Sequence, residues 1–282
     1  MEKEQYFTFI VLHYNCFEET KACVDSILAL EQSEQTQIVV MDNASVNDSL
    51  AGLKQTYGDN PQVHILHNES NEGFSAGNNK AYAYAKQHWY CEFVVFANND
   101  LLFEDKEFIR KVREEYEASG FGVLSPDIFH TTLKIHQSPI DERLVLPVSG
   151  VRKTIVLNTV ALWIYPLFYA LFGKNMKETV AAAVDLSYRT DVVPMGACLV
   201  ISERLMERKD VIFDPETHFY YEEYILSWWC AKHGVDIVFQ PRIQVLHNHG
   251  RATKSIGDPK RVLKFRMQNI LQAAKVYYKL IR

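Results

Sequence analysis

The chain has 282 residues, of which 48 % are hydrophobic, and a net charge of −5. That length holds one large α/β domain or two small ones with a sizeable core. The mixed, slightly acidic charge gives no general case for a nucleic-acid partner, and the five cysteines, with neither CxxC nor zinc spacing, argue for buried thiols in a reducing compartment. Met1-Glu2-Lys3-Glu4-Gln5 lacks the apolar stretch of a secretory signal, so the cytoplasm is the expected address.

A first strand is expected from Tyr6 to Leu12, ending in His13-Tyr14-Asn15. Ala22, Cys23, Ile27 and Leu30 then recur at helical spacing. Gln37 to Met41 reads as a second buried strand that closes in Asp42-Asn43-Ala44-Ser45. Ser45-Val46-Asn47-Asp48 has the serine-to-acid spacing of a capping box, which predicts a helix start there. Val63 to Leu66 is a third short strand. This alternation predicts βαβ units in an α/β fold, a doubly wound, mostly parallel sheet with helices on both faces.

The segment from His67 to Lys80 contains Asn71, Gly73, Gly77 and Asn78 and runs into a helix through Ala85. The two glycines permit close backbone approach, and the amides opening the helix are placed to face an anion. An ordinary loop and helix start fits the same residues. Phe93-Val94-Val95-Phe96-Ala97 is the most apolar strand, and it ends abruptly in Asn98-Asn99-Asp100. In parallel sheets ligands bind beyond the carboxyl ends of strands. Two amides and a carboxylate there are hard oxygen donors suited to magnesium or manganese beside a phosphate. Alternatively the amides make a turn and Asp100 caps the helix beginning near Asp105.

Lys106 to Ala118 is a polar-faced helix, Phe121 to Leu124 a strand, and Pro126 to Pro147 a loop with short strands. Thr154 to Phe172 is nearly uncharged, rich in aromatics and interrupted by Asn158 and Pro166. It reads as two short amphipathic pieces on a membrane surface or packed on the domain. Asp191 to Ser202 resumes the sheet, with Gly196 letting something approach the backbone. Glu222-Glu223 heads a helix that Gly234 ends. Val235 to Phe239 and Ile243 to Leu246 are two further strands, the last closing in His247-Asn248-His249. From Pro259 to Arg282 the chain is a basic helix with an apolar stripe.

The blocks IVLHYN, VVMDNASVNDS, NEGFSAGNN, FVVFANND, PMGACLVIS, FYYEEYILSWWCAKHG and VLHNHG occur in the order found in family 2 glycosyltransferases of the GT-A fold. Over residues 6–250 the chain resembles that family, in particular the bacterial branch of rhamnosyl- and related polysaccharide transferases. The resemblance implies a catalytic domain over 1–250, with no clear counterpart for 126–190; composition makes 126–190 an apolar insertion facing acceptor or membrane, and 251–282 a basic helix packed on the domain or on a membrane. It implies an inverting transfer from a UDP- or dTDP-linked sugar to a saccharide or lipid-linked acceptor in cell-surface polysaccharide synthesis, at the inner face of the plasma membrane. Asp42 matches the acid that meets the pyrimidine imide, and Asn15, Asn43, Asn71, Gly73, Asn78, Asn98 and Asn99 match the donor site around it. Asp100 and His247 match metal-site positions for a divalent cation, manganese or magnesium. Glu223 matches the catalytic base, although the branch usually has aspartate there. His249 is a weaker candidate. Two rivals remain: a non-catalytic nucleotide-sugar or membrane partner, and a nucleotidyltransferase, whose basic glycine-rich loop has no counterpart in HYNCFEET. The apolar stretch is alternatively a core hairpin or a homodimer contact.

Overall fold

A computed structural model describes residues 5–172, 185–248 and 258–282. In chain order the N-terminal half contains β1 (Gln5–His13), α1 (Phe17–Leu28), β2 (Thr36–Asp42), α2 (Ser49–Tyr57), β3 (Val63–His67), α3 (Gly73–His88), β4 (Tyr90–Asn98), β5 (Leu101–Leu102) and α4 (Phe108–Ser119). Then follow β6 (Val123–His130), β7 (Ile135–His136), α5 (Val148–Trp163), α6 (Tyr165–Leu171), β8 (Arg189–Thr190), β9 (Cys198–Ser202), α7 (Glu203–Met206), α8 (Glu222–His233), β10 (Ile237–His247) and α9 (Pro259–Ile281).

The sheet order is β3-β2-β1-β4-β9-β6-β10-β5. β3, β2, β1 and β4 run parallel, as the alternation of strands and helices predicts. β9 enters antiparallel between β4 and β6, and β6 pairs parallel with β10. Both faces of the central strands are buried, which explains their continuous apolar runs. Phe7, Phe9, Phe93 and Val95 pack against α1, α2 and α4 on one face, while Ile10, Val94 and Phe96 pack against α3, α7 and α8 on the other. Cutting one such buried phenylalanine back to alanine costs about 3–5 kcal/mol.

Three expectations need correction. α2 starts at Ser49, not Ser45, because Ser45 is occupied elsewhere: its N–H reaches the Asp42 carboxylate and its hydroxyl accepts from Asn15 N. The two strands expected over 235–246 are one strand, β10, whose register against β6 breaks between Gln240 and Gln244. That break faces Pro126, which has no N–H to give the ladder and which β6 carries inside what the composition suggested was loop. Asn158 does not interrupt α5, since its side-chain amide is satisfied by Thr154 O one turn back. Pro166 sits in the first turn of α6, after a break at Ile164.

α9 begins with Asp258 as N-cap, its side chain accepting from Lys260 N at 3.0 Å. Its apolar stripe, Ala274, Val276 and Tyr277, is buried with Val151 of α5 and Ile225 of α8. The tail therefore braces the helix that carries Glu222 and Glu223.

Candidate active site

Strand register alone gathers the candidate residues along one edge of the sheet. His67 pairs with Asp42, Asp42 with His13, Leu12 with Asn98, and Ala97 with Cys198 at the start of β9. His130 at the end of β6 pairs with His247 at the end of β10. These are the carboxyl ends of six parallel strands and the entry to β9, the edge where open α/β sheets hold ligands.

At one end of the row, Asp42 is 0 % exposed. Its Oδ2 accepts from His67 Nδ1 at 2.7 Å, both oxygens lie 3.2–3.3 Å from Ser45 N, and His13 Nε2 stands 3.8 Å from Oδ1. Burial lowers the pKa of His13 despite the Asp42 charge, so this imidazole is neutral at physiological pH. The Thr20 hydroxyl donates to Cys16 O, which leaves His13 Nδ1 as the donor in its 2.6 Å contact with Thr20 Oγ1. His67 differs in that its side chain is 39 % exposed. With Nδ1 donating to Asp42, its Nε2 edge is the part of this couple that faces solvent. Asn15 (φ 59°) ties the loops after β1 and β2 together, its Oδ1 accepting from Val46 N at 2.8 Å.

Asn43 and Asn71 build the next loop. Asn43 Nδ2 donates to Asn71 Oδ1 and Gly73 O at 3.0 Å each, and Asn43 Oδ1 accepts from Asn68 Nδ2 and Glu72 N. Gly73, at φ 82°, opens α3 so close to the chain at His218 that a Cβ would lie 2.5 Å from His218 O. Asn78 is buried in the second turn, its amide on Phe74 O.

In the middle of the row, Asn99 Nδ2 donates to Thr20 Oγ1 at 2.9 Å, and Asn98 N donates to Ala197 O. Asp100 and His247 come together because β5 pairs with β10, with Leu101 opposite His247 and Asn248 N on Asp100 O. Asp100 Oδ1 lies 3.2 Å from His247 Nε2. Gln137 Oε1, 2.7 Å from Nδ1, accepts the N–H of that nitrogen and holds the ring with Nε2 turned toward Asp100. A cleft of about 350 Å³ beside Asp100 is lined by Glu18, Glu19 and Asn248. Among the described residues no three His, Cys, Asp or Glu side chains are grouped to hold a metal ion.

Glu223 completes the edge. Its Oε1 accepts from Gly196 N at 3.2 Å, two residues before β9, and a Cβ at 196 would lie 2.6 Å from that oxygen. The close approach expected at Gly196 is thus the approach of Glu223. Tyr220 and Tyr221, at φ 72° and 66°, turn the chain sharply into α8, a strained backbone of the kind found where side chains must be aimed. Burial raises the Glu223 pKa, partly offset by its hydrogen bonds from backbone N–H groups including that of Gly196. Burial, and then the neighbouring Glu223 charge, raises Glu222 well above the ordinary glutamate range. Its Oε2 is buried with no hydrogen-bond partner among the described residues. Of the two carboxyls Glu222 is pushed up further, the direction that keeps it protonated while Glu223 ionises.

A carboxyl with a raised folded pKa adds stability while protonated and loses it as pH rises through the folded value. Glu222→Gln should therefore melt like the parent near pH ~4 and about 2–4 °C higher at slightly alkaline pH, the shift that about 1 kcal/mol gives in a chain of this size. Melting curves across pH check this, and a variant less stable at every pH would mean that the carboxyl is paired.

The structure brings Asp42, Asn43, Asn71, Gly73, Asn98, Asp100, Glu223 and His247 to one edge. It buries the side chains of Asn43, Asn78 and Asn99 in the scaffold beneath it. His249 lies outside the described residues. Sequence reasoning missed His67 and Gln137. Only strand register could have indicated His67, as the residue opposite Asp42, and Gln137 stood in a stretch with no period.

Residues 8–179, more than half the chain, match the model of "Glycosyl transferase family 2". The low-salt glycan biosynthesis hexosyltransferase Agl10 of Haloferax volcanii is 25 % identical over 245 residues, covering 86 % of this chain and 66 % of that protein. Among solved structures, S. aureus TarS (residues 1–349) in complex with UDP-GlcNAc superposes with a TM-score of 0.58 at 14 % identity, over 91 % of this chain and 60 % of that one. The mannosyltransferase PcManGT of Pyrobaculum calidifontis, in complex with GDP-Man and Mn2+, gives 0.57 at 14 % identity, over 98 % and 74 %. The chain spans 66 % of the length of Agl10 and 60 % of that TarS chain, less than two thirds of either. The structural likenesses support the GT-A fold, and the family match covers the strands that build the edge from His67 to Asp100: the chain belongs to glycosyl transferase family 2.

Proposed function

We propose that the chain transfers a sugar from a nucleoside-diphosphate donor to a saccharide or lipid-linked acceptor at a membrane surface, by one in-line displacement with inversion. The observation that carries this reading is Glu223: a carboxylate of raised basicity, oriented by Gly196 N–H on the sheet edge that also holds Asp100. In this reading Glu223 takes the proton of the acceptor hydroxyl as its oxygen attacks the anomeric carbon. The bond to the diphosphate breaks as the new glycosidic bond forms, and the nucleoside diphosphate leaves. No covalent enzyme intermediate is needed. The Asp42–His67 couple would read the base, with the outward Nε2 edge of His67 meeting the imide of a uracil or thymine ring.

Asp100 and His247 fit a divalent cation. Neighbouring ligands of an octahedral ion at about 2.1 Å stand about 3.0 Å apart, close to the 3.2 Å between Oδ1 and Nε2. An imidazole in the set favours manganese over magnesium. With two protein ligands, the donor diphosphate and water would supply the rest. When bound, the cation would offset the charge on the leaving diphosphate, which Glu18, Glu19 and Asp100 would otherwise repel.

Release of nucleoside diphosphate from UDP-, dTDP- and GDP-sugars, measured with manganese and simple saccharide acceptors, tests the reaction. Turnover of one donor class is expected, and none from any of them, with nucleotide still bound, would leave a binding protein. The base-reading role has its own test. His67→Ala should weaken the preferred nucleotide about 3–10-fold, the worth of one hydrogen bond, with little change in melting temperature. Unchanged affinity in that variant, with affinity lost in Asp42→Asn, would return the base contact to Asp42 itself.

A further inference from the structure

α5 is apolar on two sides, and the fold covers one of them. Val151 and Ile155 pack on α9. Val156, Leu157, Val160 and Trp163 form a second stripe that faces outward, and Leu167 and Leu171 of α6 continue it. Trp163 is 85 % exposed, Leu167 58 % and Leu171 60 %. A helix surrounded by water would carry polar residues along that stripe. Among the described residues no single helix is long and apolar enough to cross a membrane, and the α5–α6 pair turns through 98° at Ile164. The two helices form an elbow.

Basic residues frame it. Arg152 and Lys153 stand at the first turns of α5 and are exposed. The start of α9 is fixed to α6: the Tyr165 hydroxyl donates to Lys260 O at 2.5 Å, and the Lys260 and Lys264 ammonium groups lie 5.7 and 5.8 Å from the Tyr169 and Tyr165 rings. The elbow helices contain no acidic residue.

We propose that the α5–α6 elbow is a seat that lies in the interface of an anionic lipid bilayer, with the first turns of α9 as its basic rim. This deepens the membrane-surface acceptor of the proposed reaction and rests on that reading only for its purpose. Charge selects the occupant. An isologous dimer through the elbow would set two basic rims against each other, whereas anionic headgroups complement the rim and acyl chains take the apolar stripe. The basic C-terminal helix is accordingly a brace and a rim, since its own apolar stripe is already buried against α5 and α8. Through that brace the seat is continuous with α8, the helix of Glu223, so an acceptor carried on a lipid would meet the base from the bilayer side.

The test uses the full chain and vesicles of phosphatidylcholine with or without phosphatidylglycerol. The parent protein should pellet with the anionic vesicles at low salt and be partly released at high salt. The double variant Leu167→Glu, Leu171→Glu changes two exposed side chains and should lower the bound-to-free ratio at least about tenfold. Acyl chains brominated near the headgroup should quench a fluorescence component that Trp163→Phe removes. Equal pelleting of parent and double variant, or none by the parent, would overturn the proposal. So would a dimer by light scattering that the double variant dissolves, because a second copy would then cover the elbow. Stabilisation by nucleotide with manganese serves as control and should be the same in parent and double variant. Failure of the seat would leave that effect intact, and absence of the nucleotide effect would strike the proposed reaction without touching the seat.

Discussion

Glu223→Gln should keep the fold and the donor affinity while the transfer rate falls about 10²–10⁴-fold, the usual worth of a positioned general base. The amide oxygen can still accept from Gly196 N, so the side chain stays in place and only its proton affinity is lost. The pH dependence carries the same sign. The base acts only when ionised, so the parent rate should fall as pH drops through a pKa raised by burial, above the ordinary glutamate range. A rate that survives the substitution would remove Glu223 from the chemistry. An acid limb in the ordinary range would mean that the carboxylate is more hydrated than its burial implies.

The second large effect belongs to Asp100. In Asp100→Ala, donor binding with manganese should weaken by more than about tenfold, while binding of the nucleoside, which lacks the diphosphate, stays unchanged. The comparison separates a lost cation from a damaged pocket. Gln137→Ala, which frees the ring of His247 but leaves both ligands, should produce a smaller loss of the same kind, since outer-shell partners are worth about 10–100-fold in metal affinity. Equal donor affinity in the parent and Asp100→Ala would refute the metal site.

The central fold was legible because strands buried on both faces cannot alternate. Phe9 to Val11, Ile38 to Met41 and Phe93 to Ala97 are continuous apolar runs for that reason, and the polar residues that follow them mark the carboxyl edge. Strand direction was not legible. Cys198 to Ser202 looks like any buried strand, but it enters antiparallel beside β4, and this places Gly196 against Glu223. Local signals failed where a distant partner took the residue. The Ser45–Asp48 spacing reads as a cap, yet Ser45 is held by Asp42 and Asn15 from two other strand ends. The asparagines at the edge were readable as a group, but a sequence does not say which amides face a ligand and which face the scaffold. Asn43 and Asn99 hold the loops, while His67, which no motif singles out, is the exposed partner of Asp42. The apolar stretch from 154 to 172 and its break near Pro166 were visible in the sequence; which stripe faces outward required the packing of α9.

In the proposed reaction one sheet edge holds the nucleotide at Asp42 and His67 and its diphosphate at Asp100 and His247. The most direct measurement is the melting temperature of the parent chain with UDP-, dTDP- and GDP-sugars, each with manganese and with chelator. A ligand at about one hundred times its Kd adds about 2.7 kcal/mol to the folded state. At least one nucleotide class is predicted to raise the melting temperature by several degrees with manganese and by distinctly less with chelator, the gain shrinking in both His67→Ala and Asp100→Ala. No rise with any nucleotide, or a rise indifferent to manganese and to both substitutions, would contradict the account.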